Sequence, residues 1–350
     1  MDSKTVVTKE TKNKIHVDFD GKLTLKERIL YKVKTSNTWM KVVVNIFRFI
    51  LMLGVSYVII FPFVSKIANS FMTLDDIVDA TVSLIPKNFT FDNYKYIFLE
   101  NDYMTAFGNT LLLSSTTALI QTFVSCLVGY GLAKFKFKGN NLVFVLVVVI
   151  MIIPHSTLEL AMRDFFTKFD LLIPASMDQS TKGIIELIAG TRPSIRDTMM
   201  PFYVLSIGGL AFKNGLYIYL MRQFFKGVPD ELEESAYVDG SGTFRTFLQI
   251  ILPLSIPMMI TVFLFSFSWS WTDVFYRDVF FEGLNAPWML SNIIEKVPPT
   301  LNMVNNQAMP LYRIAIQNTA GLMIIAPLVI MYLFCQRYLV QGIERSGLVG

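Results

Sequence analysis

The sequence predicts an all-α, polytopic membrane protein with about six membrane-spanning helices. Of the 350 residues, 53% are hydrophobic and only 17% are charged, whereas a soluble domain has about 25% charged residues. The apolar residues also stand in long blocks, which the core of a soluble domain would not need. The charges between these blocks alternate in sign along the chain, as expected for loops on opposite sides of a membrane.

Six apolar blocks approach the roughly 20 residues that a helix needs to cross the hydrocarbon. In chain order they cover residues 49–65, 110–133, 141–161, 200–225, 257–275 and 320–336. The third block is interrupted by Pro154, which a span tolerates when neighbouring groups satisfy the freed carbonyl. The blocks define a membrane domain of residues 46–340, between a polar, lysine-rich arm of residues 1–45 and a tail of residues 341–350.

The charged residues predict the orientation in the membrane. Lys134, Lys136 and Lys138 lie between the second and third blocks with no acid among them, and lysines crowd the arm before the first block. The connection of residues 66–103 is instead acid-rich. Because positive residues mark the cytoplasmic side, both termini are predicted to be cytoplasmic and the long loop of residues 163–197 extracellular. No signal peptide is predicted, since the first block begins beyond the window of roughly 15–30 residues that such segments occupy.

The loop of residues 228–256, on the cytoplasmic side, has the pattern of a helix, a turn and a second helix. Pro229 can open a helix, because its missing N–H falls among the unpaired first-turn donors, and acidic residues follow at the positive end of the helix dipole. Gly240 fits a helix stop in the left-handed conformation. One face of the first helix would present four residues at positions i, i+3, i+4 and i+7: Leu232, Ser235, Ala236 and Asp239. Small side chains there would let another protein approach closely, although a well-capped surface helix would share several of these features.

The same loop resembles a known family signature. Glu234-Ser235-Ala236, then Gly240, then Ile250, Leu252 and Pro253 follow the Glu-Ala-Ala…Gly…Ile-x-Leu-Pro pattern of the membrane subunits of ATP-driven (ABC) importers. Ser235 replaces the second signature residue, alanine, which is a change between two small side chains.

The resemblance extends over roughly residues 49–350 and is strongest to sugar importers. Residues 219–225, ending in Arg222-Gln223-Phe224-Phe225, resemble the segment that precedes the signature in sugar-importer permeases. Trp271-Thr272-Asp273 resembles their Trp-Asn-Asp/Glu. The end of the chain, from Gln336-Arg337-Tyr338 onward, is similar to the tail of the smaller membrane subunit of the maltose importer.

The resemblance implies a type I ABC importer permease that moves a sugar or oligosaccharide by alternating access. It also implies its partners: a second permease subunit, two ATPase subunits and an extracellular sugar-binding protein. The ATPase-coupling residues carried over from the signature loop are Glu231, Leu232, Glu234, Ser235, Ala236, Asp239, Gly240, Leu252 and Pro253. Gly342, Gly347 and Gly350 are expected to reach the same ATPase partner.

The chain is predicted not to be an enzyme and to bind no cofactor itself. No G-x-x-x-x-G-K-[ST] phosphate loop is present, so ATP and magnesium are assigned to the partner ATPase subunits. Two cysteines and two histidines, far apart in sequence, offer no metal-ligand spacing. Neither a metal nor a nucleic-acid partner is predicted.

Five residues are candidates for the substrate path. Lys213 and Asn214 lie near the middle of the fourth predicted span, where a charge is by default a functional hypothesis, although a lysine snorkelling along a tilted helix would look the same. Trp269, Trp271 and Asp273 lie near the outer end of the fifth span. Indole faces and hydroxyl groups suit sugar rings, but tryptophan at a membrane interface is commonly an anchor.

Two other functions remain open on the sequence alone, and a third, a membrane-embedded enzyme, lacks the residues that it would need. An ABC importer for another small solute would share the architecture, while a metal importer would be expected to use more His or Cys. An ion-coupled secondary transporter would show internal repeats and buried charged pairs, and no clear repeat is visible. A membrane-embedded enzyme would need a nucleophile–base or acid pair in the spans, which is not found.

Overall fold

The computed structural model describes residues 6–7, 17–18, 36–169, 184–190, 193–302 and 309–347. The chain divides into two compact units, residues 1–65 and 66–350. The first unit contains two short antiparallel strands, β1 (Val6–Val7) and β2 (Val17–Asp18), and most of helix α1 (Ser36–Ser70). Helix α1 begins inside the predicted 1–45 arm, most of which lies outside the described residues, and the domain boundary at residue 46 stays a prediction.

Side chains 39–64 of α1 are all exposed, although this helix is long and apolar enough to cross a membrane. Such a surface is stable in contact with lipid or with another apolar protein surface. The helix of the first predicted span is therefore present, and the part suited to cross a membrane, Trp39–Ser70, is longer than the block of residues 49–65.

Helices account for nearly all regular structure in the second unit. In chain order they are α2 (Leu74–Val78), α3 (Asp92–Glu100), α4 (Tyr103–Lys134), α5 (Asn140–Ile152), α6 (Glu159–Thr167), α7 (Ile184–Ala189), α8 (Met200–Ile207) and α9 (Asn214–Lys226). They continue with α10 (Glu231–Val238), α11 (Thr243–Thr246), α12 (Leu252–Trp271), α13 (Phe275–Phe280), α14 (Leu290–Glu295), α15 (Pro299–Asn302) and α16 (Met309–Gly347).

The all-α prediction is confirmed, and the described residues refine the number of spans. Four helices are long and apolar enough to cross a membrane, or five if α5 and the helical segment after it form one broken span. Those two parts are bent by 92° at a break that contains Pro154, where proline cannot supply a helical N–H. The predicted span of residues 141–161 is therefore not one straight helix.

The predicted span of residues 200–225 is also broken, and this corrects the placement of Lys213. Helix α8 ends at Ile207, and α9 begins only at Asn214. Gly209 at φ +71° and Lys213 at φ +63° have left-handed backbone that an α-helix does not contain. Lys213 therefore lies at the start of α9 and not in the middle of a continuous helix. Hydropathy cannot reveal such a break, although the Gly208-Gly209 pair was a local signal of it.

Helix α4 is central to the second unit and packs along α9 and α12. At Gly129, an added Cβ would lie 2.7 Å from Cβ of Met221, so the backbones of α4 and α9 approach closely there. Around this contact, buried aromatic and sulfur-containing side chains of α4, α9 and α12 form one continuous cluster, which includes Tyr130, Tyr217 and Met258.

The predicted loop of residues 163–197 is described only in part, since residues 170–183 and 191–192 lie outside the described residues. Its last part is tied to the segment that follows α13. The Asp197 carboxylate accepts hydrogen bonds from the backbone N–H groups of Glu282 (2.9 Å) and Gly283 (2.7 Å). Arg196 donates to Glu282 at 2.5 Å, and Arg163 also pairs with that carboxylate. Together, the two guanidinium groups lower the pKa of Glu282.

Candidate functional site

The signature loop forms a helix, a turn and a second helix, as the sequence predicts. Helix α10 ends at Val238, and Gly240 follows at φ +84° with open space where a Cβ would stand. The Ser241 N–H then bonds to the Ala236 carbonyl (2.9 Å), which closes the turn in the manner of a helix C-cap. The chain continues through α11 and a π-helical turn, Phe247–Ile251, into α12, with Pro253 in the first turn of α12.

The residues of α10 divide into an exposed and a buried set. Glu231, Leu232, Glu234, Ser235 and Asp239 are exposed, as a docking surface requires, while Ala236 is only 5% exposed. Of the four residues of the predicted face, Ala236 packs inside this chain, and its part in an ATPase contact stays a prediction. Exposed apolar side chains extend the surface: Val238 is 87% exposed and Phe244, beyond the turn, is 74% exposed.

Lys134, the last residue of α4, holds the start of this loop. Its Nζ donates to the Val228 carbonyl at 2.6 Å and to Oδ1 of Asp230 at 2.5 Å. The lysine side chain is only 6% exposed, whereas the Asp230 side chain is 78% exposed. The Lys134 ammonium lowers the pKa of Asp230, and burial raises the pKa of Glu233 one turn further along.

The C-terminal glycines fall at the end of α16. Gly342 and Gly347 belong to that helix, and Gly350 lies outside the described residues. Their contact with an ATPase subunit stays a prediction.

A small pocket lies between α4, α8 and α12. Its lining combines aromatic rings with a few polar groups: Leu113, Thr117, Gln121, Phe202, Leu205, Ser206, Ala211, Phe212, Trp269, Ser270, Asp273 and Tyr276. Such a mixture of apolar walls and a few oriented polar groups is typical of a small-molecule site. It is the candidate transport pocket.

Buried polar side chains connect the three helices at the base of the transport pocket. Ser266 of α12 donates to Oε1 of Gln121 on α4 (2.7 Å), and Nε2 of Gln121 lies 3.4 Å from Oγ of Ser206 on α8. All three side chains are at most 3% exposed. Sequence reasoning missed Gln121, although an amide in the middle of an apolar span is itself a functional signal.

Trp269 and Asp273 line the transport pocket, and Lys213 lies against two of its aromatic rings. Trp269 is 48% exposed and stacks edge-on against Phe212, with ring centroids 5.5 Å apart. The Lys213 ammonium lies 4.8 Å from the Phe212 ring centroid and 5.2 Å from that of Trp269, a cation–π arrangement. The structure therefore places Lys213 beside the transport pocket, in contact with its lining residues Phe212 and Trp269; sequence reasoning did not identify Phe212.

Asn214 and Trp271 sit deeper than their predicted role suggests. Asn214 is fully buried, and neither atom of its amide has a hydrogen-bond partner among the described residues. Trp271 is 2% exposed, stacks on Phe267, and donates its indole N–H to the Ile324 carbonyl at 2.9 Å. Since that donor is occupied, Trp271 has a packing role that the sequence did not distinguish from sugar contact.

His155 lies beside the transport pocket, a position that the sequence did not indicate. Its Nδ1 hydrogen-bonds the hydroxyl of Tyr276, and its ring packs edge-on against Phe212. It thereby supports two lining residues. Among the described residues, no group of three or more His, Cys, Asp or Glu side chains could hold a metal ion.

The described residues contain several long apolar helices, a partly polar pocket and an exposed helix–turn–helix loop. Together these features define a polytopic helical membrane protein of the transport type. Residues 121–345 match the family described as the binding-protein-dependent transport system inner membrane component. Because the match covers more than half of the chain, the protein belongs to that family of ABC importer permeases.

Individual relatives and a solved structure agree with this assignment. The chain is 27% identical to the arabinooligosaccharides transport system permease protein AraQ of Halalkalibacterium halodurans, covering 85% of this chain and 93% of AraQ. It is also 27% identical to the maltodextrin transport system permease protein MalD of Streptococcus pneumoniae, with the same coverage. A bacterial ABC transporter that imports the acidic polysaccharide alginate has a chain of the same fold, with a TM-score of 0.63 at 19% identity, covering 87% of this chain and 98% of that one.

Proposed function

We propose that this protein is one of two permease subunits of an ATP-driven importer for an oligosaccharide. The observation that carries the proposal is the helix–turn–helix loop, in which the importer signature coincides with an exposed helix and a left-handed Gly240. The oligosaccharide class is supported by the sugar-importer sequences on both sides of that loop and by the names of AraQ and MalD.

In this proposal the energy enters from outside the chain. Two ATPase subunits bind ATP and magnesium, and one of them holds α10 through Glu231, Leu232, Glu234, Ser235 and Asp239, with Gly240 ending the contact. Leu252 and Pro253 set the position where the loop enters the membrane, and the C-terminal glycines reach the same partner. Both termini and this loop face the cytoplasm, and an extracellular binding protein delivers the sugar to the opposite side.

The transport pocket is the proposed segment of the sugar path in this subunit. The half-exposed indole of Trp269 offers an apolar face to the C–H side of a sugar ring, and Ser270 and Asp273 offer hydrogen-bonding groups to its hydroxyls. Lys213 lies at the edge of this arrangement. Alternating access would open the pocket between α4 and α12 to one side of the membrane at a time.

The test is an affinity purification of the tagged chain from detergent-solubilised native membranes, with the co-purifying proteins identified by mass spectrometry. We expect a second permease, an ATPase with a phosphate-binding loop and an extracellular sugar-binding protein. A chain recovered alone, even after crosslinking, would contradict the proposal and favour an ion-coupled transporter. A binding protein specific for another solute would overturn the sugar assignment alone.

A further inference from the structure

We infer that Lys134 is the positioning residue through which a movement of α10 reaches the transport pocket. This inference rests on the proposed function, because it concerns how the work of the ATPase subunits is transmitted within this chain. The main mechanical connection then runs through α4, and not through α9 and α12, which are joined directly to the loop.

Three helical routes lead from the loop region to the transport pocket, and two of them are interrupted. From the loop, the first route follows α9 back to its first residue, Asn214. The pocket-lining residues of α8 are separated from α9 by a segment in which Gly209 and Lys213 have left-handed backbone. The route through α12 contains the π-helical turn Phe247–Ile251 and Pro257 inside the helix. Breaks of this kind let a helix bend locally, so a displacement at one end is absorbed before it reaches the other.

Helix α4 is the uninterrupted route among the described residues. It runs without proline from Tyr103 to Lys134 and lines the transport pocket through Leu113, Thr117 and Gln121. Gln121 lies 13 residues before Lys134, which corresponds to about 20 Å along a helix that rises about 1.5 Å per residue. A continuous helix of this length transmits a displacement or a tilt of its C-terminal end to the residues that line the transport pocket.

However, α4 is not joined to α10 along the chain, since Lys134 and Asp230 are 96 residues apart in sequence. The side chain of Lys134 makes the connection. It binds the Val228 carbonyl, whose residue is 6% exposed, and the carboxylate of Asp230, the residue immediately before α10. One turn earlier on α4, Tyr130 packs against Phe225 and Phe247, with centroid distances of 5.4 and 4.8 Å. Lys134 therefore connects the start of α10 to the end of α4, while Tyr130 packs against the segments on either side of the loop.

The two hydrogen bonds of Lys134 are unequal. An ion pair with a side chain as exposed as Asp230 is screened by water and contributes little. The bond to the Val228 carbonyl is different, because removal of the ammonium would leave a buried acceptor without this partner. The carbonyl bond is therefore the mechanically important one, and loss of the Asp230 charge should matter less than loss of Lys134.

Four variants separate these contributions. Lys134→Met keeps the length of the apolar stem and removes the donors, while Lys134→Arg retains charge and donors. Asp230→Asn removes the ion pair and leaves the carbonyl bond. Lys138→Met is the matched control: it removes one charge from an exposed lysine four residues after Lys134, for which the described residues provide no hydrogen bond or ion pair.

The readout does not require the identity of the sugar. In a background with Cys126 and Cys335 replaced by alanine, Ser270→Cys places a thiol in the lining of the transport pocket. The complex is purified with its ATPase subunits, and the rate of thiol modification by a small methanethiosulfonate reagent is measured without nucleotide and after trapping with ATP and vanadate. The ratio of the two rates reports how strongly nucleotide changes the pocket.

We expect Lys134→Met to bring this ratio toward one while the ATPase subunits still co-purify and hydrolyse ATP. Lys134→Arg should restore most of the ratio, and Asp230→Asn and Lys138→Met should leave it near the value of the parent. An unchanged ratio in Lys134→Met would overturn the inference, and so would loss of the ATPase subunits from that variant, because Lys134 would then serve docking alone. If the parent itself recovers no ATPase, or its ratio is already one, the proposed function fails instead.

Discussion

Lys213 combines two features that are costly for a lysine. Its backbone is left-handed at φ +63°, and its half-buried ammonium lies over the rings of Phe212 and Trp269. Left-handed backbone costs roughly 1–2 kcal/mol for a residue with a side chain, and the ammonium has no carboxylate within 4.0 Å among the described residues. A residue that is both strained and unpaired at the edge of a pocket is a candidate for function.

Replacing Lys213 by methionine tests this assignment. The change keeps the stem length and removes the charge, so we expect altered sugar uptake with unchanged recovery of the ATPase subunits, because the signature loop lies elsewhere in the chain. Uptake of a labelled sugar identified through the binding protein is the measurement. Lys226→Met, which removes a charge at the last residue of α9, serves as the control. Unaltered uptake in Lys213→Met would leave the lysine with a structural role.

Gly240 offers a sharper test of the signature loop. Its φ of +84° is accessible to glycine, while a β-branched residue there would be a conformational outlier. Nothing lies within 4 Å of an added Cβ, so the cost of Gly240→Val arises from the backbone and not from a clash. We expect a protein that inserts normally but co-purifies with less ATPase, in line with a backbone cost of about 1–2 kcal/mol.

Gly242→Val is the matched control for this substitution. Gly242 lies two residues further along, at φ −77° and ψ 160°, with the same open space around it. Valine adopts this extended backbone readily. Equal ATPase recovery from the two valine variants would show that the left-handed turn is not what the partner requires.

At the scale of elements, the sequence predicted the helix–turn–helix of the signature loop but missed one break in a helix and one contact between distant segments. The helix, the turn at Gly240 and the following helix were predictable, because capping and left-handed glycine depend on a few neighbouring residues. The break between α8 and α9 was missed, since hydropathy measures composition and not backbone conformation. The contact of Lys134 with the loop was also invisible, as nothing in either segment identifies a partner 96 residues away.

The contact of α4 with α9 at Gly129 can be tested by alanine. An added Cβ would lie 2.7 Å from Cβ of Met221 and 2.9 Å from the backbone nitrogen of Arg222, so the two helices would have to separate. Overpacking of this kind costs typically about 1–3 kcal/mol. We expect Gly129→Ala to lower the thermal unfolding temperature of the purified complex in detergent.

The control for this effect is Gly131→Ala, two residues along the same helix with nothing within 4 Å of its added Cβ. There, alanine should be neutral or stabilising, because glycine in a helix interior is about 0.5–1 kcal/mol less favourable than alanine. If both variants unfold at the same temperature, the close approach of α4 and α9 is not a determinant of stability.

For the whole molecule, the distribution of charge should fix the orientation on which the proposed function depends. Lys134 ends α4, and the loop that follows carries Lys136 and Lys138. The acid-rich segment before α4 folds on itself, and the Asp76 carboxylate accepts hydrogen bonds from the backbone N–H (2.8 Å) and side-chain amide (2.9 Å) of Asn88. Lysine-rich loops are retained on the cytoplasmic side during insertion, whereas acidic residues contribute little to that choice. The signature loop should therefore lie on the same side as Lys138.

Single cysteines measure this orientation directly. Asp75 and Lys138 are both exposed, so either can be replaced by cysteine in a background without Cys126 and Cys335. A membrane-impermeant maleimide should label Asp75→Cys in intact cells and Lys138→Cys only after permeabilisation, and both should react in permeabilised cells. The reverse pattern would place the signature loop outside the cell, where no ATPase could reach it. The positive-inside assignment and the proposed coupling would then both fail, because an importer of this kind requires its ATP-driven contact and its sugar-binding partner on opposite sides of the membrane.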